Sequence, residues 1–352
     1  MKSIMMRDSR VMLEDAPMPE PGPGQVLVKS LACGICGSDL HLVRHSQDIF
    51  EFYREVGVIP PNSDAAGLEI SLGHEFCAEV VSFGPDTQQQ FNPGDRVTAV
   101  PMLLTEQGQL GVGVTPGVHG AYSEYFLLEE ALLLPVPQAL PNEAAALVEP
   151  MAVGLHAVNH ADPDPDEVVL VAGCGPIGLA CISALKRRGI KNIIASDPVA
   201  AGRDNAIAFG ASHIADPTRE DEMAMAAQMA DGKRLVVLEC VGLPQMIPDL
   251  IQRAPEKACI VFSGLHTEPV PFNPAYATVK QLNLKFSYYY EPEEYAACLQ
   301  ALAEGDIPWQ TMITGTVGIN HVPDAFETLL QRNEHVKVII EPWSDHNLRA
   351  YN

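Results

Sequence analysis

Val168-Val169-Leu170-Val171-Ala172-Gly173-Cys174-Gly175-Pro176-Ile177-Gly178 decides the fold of this chain. The apolar run is short and β-branched. It lies between Asp166-Glu167 and Gly173, as a strand buried on both faces of a parallel sheet does. A helical pattern follows over 179–188. Between the two, Gly173, Gly175 and Gly178 fit G-x-G-x-x-G. In that pattern the first glycine makes the tight turn, the second lets backbone approach a pyrophosphate, and the third lets helix pack on strand. The pyrophosphate would sit beside Pro176 and Ile177, where free N–H groups and the helix dipole favour an anion.

Alone, three glycines describe an ordinary strand-to-helix turn. Here a second apolar strand over 192–196 ends in Asp197, 19 positions after Gly178. An acid at that distance takes the adenosine ribose hydroxyls and repels a 2′-phosphate, which favours NAD over NADP. Arg203, a few residues on, keeps NADP open. Alternation continues with helices over 203–210 and 223–229, a strand and turn over 235–242, and strands over 259–265 and 284–290. The whole reads as a doubly wound parallel sheet.

Upstream the chain is β-rich, with strands expected over 26–30, 76–81, 96–100 and 122–128, and prolines and glycines over 17–24 that exclude helix and strand. Two clusters interrupt this region: Cys33-Gly34-Ile35-Cys36-Gly37-Ser38-Asp39-Leu40-His41, and Gly73-His74-Glu75. A structural zinc needs a second ligand pair near the C-x-x-C, and no such pair exists at suitable spacing, so one of the two cysteines is idle. A catalytic metal needs only three mixed ligands with one open position. Thiolate and imidazole are present, with Glu75 and Glu149 as candidate carboxylates; Glu149, followed by Pro150, stands in an apolar stretch where a solvated charge is unusual.

A chain of 352 residues accommodates two domains. Its net charge of −23 and lack of a basic patch argue against nucleic acid as a partner. No apolar run approaches the roughly 18 residues of a membrane span, and no signal pattern opens the sequence. Eight cysteines in such a chain point to free thiols and a cytoplasmic setting.

In order, Gly34-Ile35-Cys36-Gly37-Ser38-Asp39, Gly73-His74-Glu75, Gly94-Asp95-Arg96-Val97, Glu149-Pro150 and Gly173-Cys174-Gly175-Pro176-Ile177-Gly178 resemble the zinc-dependent medium-chain dehydrogenases, most closely the polyol (sorbitol-like), threonine and butanediol branch. The resemblance spans nearly the whole chain. It implies an α/β protein with a GroES-like catalytic domain from residues 1–154 and 293–352 and a Rossmann domain from 155–292. The returning part would carry helices over 295–303 and 324–332 and a strand over 336–340.

By the same resemblance Cys36 and His74 ligate a catalytic zinc. The third ligand is Glu149, or Glu75 with Glu149 holding water, and Asp39 orients His74. The activity implied is hydride transfer between NAD and a small secondary alcohol, diol or polyol, the metal lowering the pKa of the substrate oxygen. Ser38 would take the hydroxyl proton and His41 pass it on, with Glu75 beside them at the site. Turns at Val241-Gly242 and Gly264-Leu265 would pass close to the nicotinamide, and residues 284–290 would join subunits of a homodimer or homotetramer.

Two departures stand out. Residues 101–119 contain no cysteine, so one zinc and no structural zinc is expected; and residues 42–72 are longer than usual, with a short helix over 48–54 that would line the substrate cleft. The alternatives are a zinc-free quinone or enoyl reductase of the same superfamily, which would lack the Cys36, His74 and Glu149 set, and a non-catalytic nucleotide-binding protein.

Overall fold

The computed structural model describes residues 1–57, 59, 69–105, 108–266, 268–331 and 333–351. The chain packs into two units, Met1–Glu149 with Ile313–Asn352, and Pro150–Met312. These breaks fall at 149/150 and 312/313, against 154/155 and 292/293 read from the sequence. The later return has a packing cause: the helix Pro292–Ala303 is tied into the second unit by His156–Glu294 and, just past its end, Arg187–Glu304 ion pairs.

The second unit is a six-stranded sheet with every pairing parallel. Across the sheet the strands run His213–Ala215, Asn192–Ser196, Val168–Ala172, Leu235–Glu239, Cys259–Phe262 and Asn283–Phe286. In chain order this is 3-2-1-4-5-6, the doubly wound dinucleotide-binding arrangement. Val168–Ala172 and Leu235–Glu239 are buried at every position, which explains their unbroken apolar runs. The helices 203–210 and 223–229 are Ala200–Phe209 and Glu222–Ala230. One strand is shorter than expected: Asn283–Phe286 stops before Tyr288-Tyr289-Tyr290, because Tyr289 adopts φ +66 and stacks on Tyr290 at 4.5 Å, a geometry no ladder accommodates.

The first unit is built on the strand Gln25–Gly34. It pairs antiparallel with Glu75–Phe83, with Tyr125–Glu129 and, at its far end, with Lys337–Glu341. Phe76 and Phe126 meet edge to face at 4.9 Å in its core. The cysteine-free segment holds a hairpin of Met102–Thr105 with Gly108–Gly111. Within 42–72 the described residues contain the end of the helix Gly37–Arg44, the helix Ser46–Glu55 and the strand Glu69–Ser71; residues 58 and 60–68 of that segment lie outside the description. Helix 324–332 is Val322–Leu329, with Arg332 outside the described residues.

Candidate active site

The register of the first unit assembles the site. Gly34 stands opposite both Glu75, the start of its strand, and Ile339, the middle of Lys337–Glu341, so three strands meet where the Gln25–Gly34 strand runs into the helix Gly37–Arg44. Cys36 is the N-cap of that helix. Its sulfur accepts from the Ser38 N–H at 3.4 Å, while the Asp39 carboxylate reaches back to the Cys36 N–H at 3.2 Å, a capping box with sulfur in place of oxygen. The Ser38 hydroxyl is also 3.1 Å from the Cys36 sulfur.

Gly73 delivers the other two groups. Its φ of +106 suits glycine, and a Cβ there would stand 2.5 Å from the Tyr122 ring, so the chain turns tightly against Tyr122 before His74 and Glu75. The ligand atoms of Cys36, His74 and Glu75 then lie within 4.8 Å of one another. Thiol, imidazole and carboxylate with this spacing fit a zinc ion that keeps an open position. On the far side of the imidazole, Nδ1 faces Asp39 at 3.6 Å, the side from which a carboxylate orients a ligating histidine. The Tyr122 hydroxyl lies 2.6 Å from that carboxylate and 3.0 Å from the Gly34 carbonyl.

Charge in this buried place is balanced by a residue the sequence reading missed. The Lys337 ammonium donates to both oxygens of Glu75, at 2.7 and 2.6 Å, and to the Ile35 carbonyl at 3.0 Å. Glu75 is wholly buried and Lys337 is 2% exposed. A Cβ on Gly34 would collide with the Glu75 carboxylate. Burial opposes a charge on Lys337, yet Glu75 and Cys36 outweigh it and hold the ammonium pKa above its usual value. Burial likewise pulls His74 down, but Asp39, Cys36 and Glu149 more than offset it and lift the imidazole well above the ordinary range. Asp39 itself is raised, by burial first, against the pull of His74 and Tyr122. Cys33 is pushed far up by burial, then by Glu75 and Asp39, and so remains a thiol.

Glu149 sits in the first turn of the helix Val148–Ala161, 6% exposed, and its charge is felt at both His74 and Lys337. His41 follows Ser38 by one helical turn and packs its ring 4.7 Å from that of His45.

In the second unit the glycine-rich turn leads into the helix Pro176–Arg187, with Gly175 as N-cap and Pro176 in its first turn. Gly173 has φ +95, and a side chain on Gly178 would strike the Gly173 carbonyl, so strand and helix touch here. Ile177 occupies the same first turn. Asp197 accepts from the N–H groups of Cys174 and Val199, both at 2.8 Å, which fastens the acid to the glycine turn. Arg203 donates to the Asp197 carbonyl at 2.6 Å and pairs with Asp216 at 3.6 Å. Two further turns adjoin: Gly173 approaches Val241, and a Cβ on Gly264 would strike Gly242, with Leu265 alongside. A cradle of bare backbone at the carboxyl ends of parallel strands fits a dinucleotide.

Comparison with known proteins bears on the same residues. A family model described as the alcohol dehydrogenase GroES-like domain matches residues 22–138, and one described as zinc-binding dehydrogenase matches 176–304. The (R,R)-butanediol dehydrogenase of Bacillus subtilis is 30% identical, over 94% of this chain and 96% of that one. The chain belongs to the zinc-binding dehydrogenases. A sorbitol dehydrogenase of the same organism is 27% identical over 97% of each chain. The crystal structure of the Bacillus subtilis 2R,3R-butanediol dehydrogenase matches with a TM-score of 0.82 at 28% identity, covering 97% of this chain and 99% of that one. The dehydrogenase is thus an α/β oxidoreductase that takes zinc and a nicotinamide cofactor and acts on a small alcohol. No helix among the described residues is long and apolar enough to cross a membrane.

Proposed function

We propose that this dehydrogenase oxidises a small diol or polyol with NAD, or reduces the corresponding ketone, using one zinc held by Cys36, His74 and Glu75 with Glu149 as the neighbouring carboxylate. The observation that carries the reading is the convergence of three unlike ligand atoms within 4.8 Å. When bound, the metal supplies Lewis-acid polarisation of the substrate oxygen and the nicotinamide takes or returns the hydride. The chain's own groups do the rest. Ser38, exposed at the helix start, takes the hydroxyl proton, and His41 on the same helix face carries it toward solvent. Asp39, itself held by the Tyr122 hydroxyl, orients the His74 ring. Lys337 holds the Glu75 carboxylate in place through both of its oxygens.

NAD is favoured over NADP by the Asp197 carboxylate at the glycine turn, and by Arg203, whose guanidinium is already engaged by Asp216 and the Asp197 carbonyl. We assign a homodimer formed edge to edge through Asn283–Phe286, an outer strand flanked by exposed Phe286 and Tyr288. Free thiols at all eight cysteines suit a cytoplasmic enzyme.

The test is elemental analysis of protein purified without added metal, followed by NAD and NADP reduction against butane-2,3-diol, sorbitol and simple secondary alcohols. One zinc per chain, turnover on diols or polyols, and a higher kcat/KM with NAD are expected. Turnover in metal-free protein would sink the reading. Between the two acids, Glu75→Gln should lose more zinc than Glu149→Gln.

A further inference from the structure

The second unit holds a buried carboxylate that none of the chemistry above uses. Glu239, at the end of the strand Leu235–Glu239, is wholly buried. Its Oε1 accepts from the N–H groups of Val241 and Gly242 at 2.7 and 2.8 Å, and its Oε2 lies 3.2 Å from Nε2 of His266. One carboxylate therefore fastens two turns together: the one leaving its own strand, and the Gly264–His266 turn leaving Cys259–Phe262. The backbones of the two turns touch at Gly242 and Gly264.

His266 is oriented on two sides. Because Nε2 faces an acceptor, it carries the proton, and in the neutral ring Nδ1 is then a bare lone pair. Phe262 packs edge-on against the imidazole at 6.4 Å, which fixes its plane. Yet Nδ1 is buried and has no hydrogen-bond partner among the described residues, in a side chain only 7% exposed. The Ser263 hydroxyl, three residues earlier, is buried and likewise without a partner among the described residues. Buried polar atoms are nearly always paired, so two orphans at one strand end mark the place of a missing donor or acceptor.

We propose that His266 is a dinucleotide-binding residue: Glu239 fixes its tautomer, and Nδ1 accepts a hydrogen bond from an amide or hydroxyl donor on the nicotinamide half of the bound cofactor. The half is assigned by topology. Asp197 and the glycine turn end the strands Asn192–Ser196 and Val168–Ala172, whereas Glu239 and His266 belong to the ends of Leu235–Glu239 and Cys259–Phe262, on the other side of the sheet's switch point. The proposal rests on the dehydrogenase reading and adds to it a side chain where that reading expected backbone contacts.

The experiment is calorimetric binding of NADH and of ADP-ribose to the full chain, without turnover. His266→Gln keeps a donor where Nε2 stood and so keeps Glu239 partnered, but removes the acceptor at Nδ1. It should weaken NADH about tenfold, the size of one lost hydrogen bond, while ADP-ribose binding changes less than twofold. His266→Asn, which keeps a polar atom near the Nδ1 position, should recover part of the NADH affinity. Unchanged NADH binding by His266→Gln overturns the proposal and leaves the dehydrogenase reading standing. Equal weakening of NADH and ADP-ribose overturns it by placing the effect on the wrong half. Wild-type protein that binds neither ligand overturns both readings.

Discussion

The two sites are made of opposite materials. In the first unit side chains form the site: a sulfur, an imidazole, three acids, a phenol and a lysine, with Tyr122 fastened to Asp39 and Lys337 to Glu75 through short hydrogen bonds. In the second unit backbone forms most of it, with Gly173, Gly178, Gly242 and Gly264 so close that an added carbon at Gly178 or Gly264 would strike a neighbour. A site of functional groups fails when atoms are taken away. A site of bare backbone fails when atoms are added.

The sharpest way to break this contrast is at Lys337. Lys337→Met keeps the length of the side chain and strands the wholly buried Glu75 carboxylate without its lysine partner. Removing one member of a buried pair typically costs about 3–5 kcal/mol, and urea unfolding should show a loss of that size. Adding Glu75→Gln to the same protein should restore a good part of it. A single variant as stable as the parent would mean that the buried charge is compensated elsewhere and that the first site is not a side-chain network. In the second unit the matching change is an addition. Gly178→Val should weaken NADH at least tenfold, about 1.4 kcal/mol or more, with zinc content unaltered; retained affinity would show that the turn yields and that the backbone cradle is not tightly built.

The smallest effect concerns acid. Glu167, paired with Arg234 at 2.7 Å, and Glu294, at 2.8 Å from His156, are both held below the ordinary carboxylate range. For each, burial acts upward and the hydrogen bonds and positive partners more than offset it. A carboxylate whose folded pKa is lowered contributes stability that is present above its unfolded pKa and lost as pH falls through its folded value. Both residues belong to the second unit. A pH series of thermal unfolding should therefore show that unit losing stability below the ordinary glutamate range, and pairing removed by Arg234→Gln should flatten the loss. An unaltered acid limb would assign it to other carboxylates.

What the sequence made legible follows from range. The strand Val168–Ala172, its glycine turn and Asp197 sit close together along the chain, and each has a local reason to be what it is. Cys36, Ser38 and Asp39 share one helix start, and His74 and Glu75 one turn. Lys337 and Tyr122 were invisible for the converse reason: the first meets Glu75 across 262 positions and the second meets Asp39 across 83. One signal was available for Lys337, which stands among Val336, Val338, Ile339 and Ile340; a cation inside a fully apolar strand asks for a buried partner. The strand expected over 284–290 ended early because Tyr289, at positive φ, stacks on Tyr290 and packs at a tilt against Tyr288 instead of alternating faces.

The pairing of Gln25–Gly34 with Lys337–Glu341 also has a consequence for manufacture. A ribosome delivers Cys36, His74 and Glu75 before the second unit, and the ammonium that pairs with Glu75 only after the entire second unit has emerged. While the second unit emerges, the first unit lacks three strands of its sheet, Ile313–Gly318, Lys337–Glu341 and Arg349–Ala350, and its Glu75 lacks the cation it is buried with. The nucleotide-binding unit, contiguous in the chain, is free to fold in the interval, since domains fold as units during synthesis. The buried Glu75–Lys337 pair is thereby completed only after the second unit has been made, and a chain that stops short of residue 337 leaves the Gln25–Gly34 strand without its Lys337–Glu341 partner.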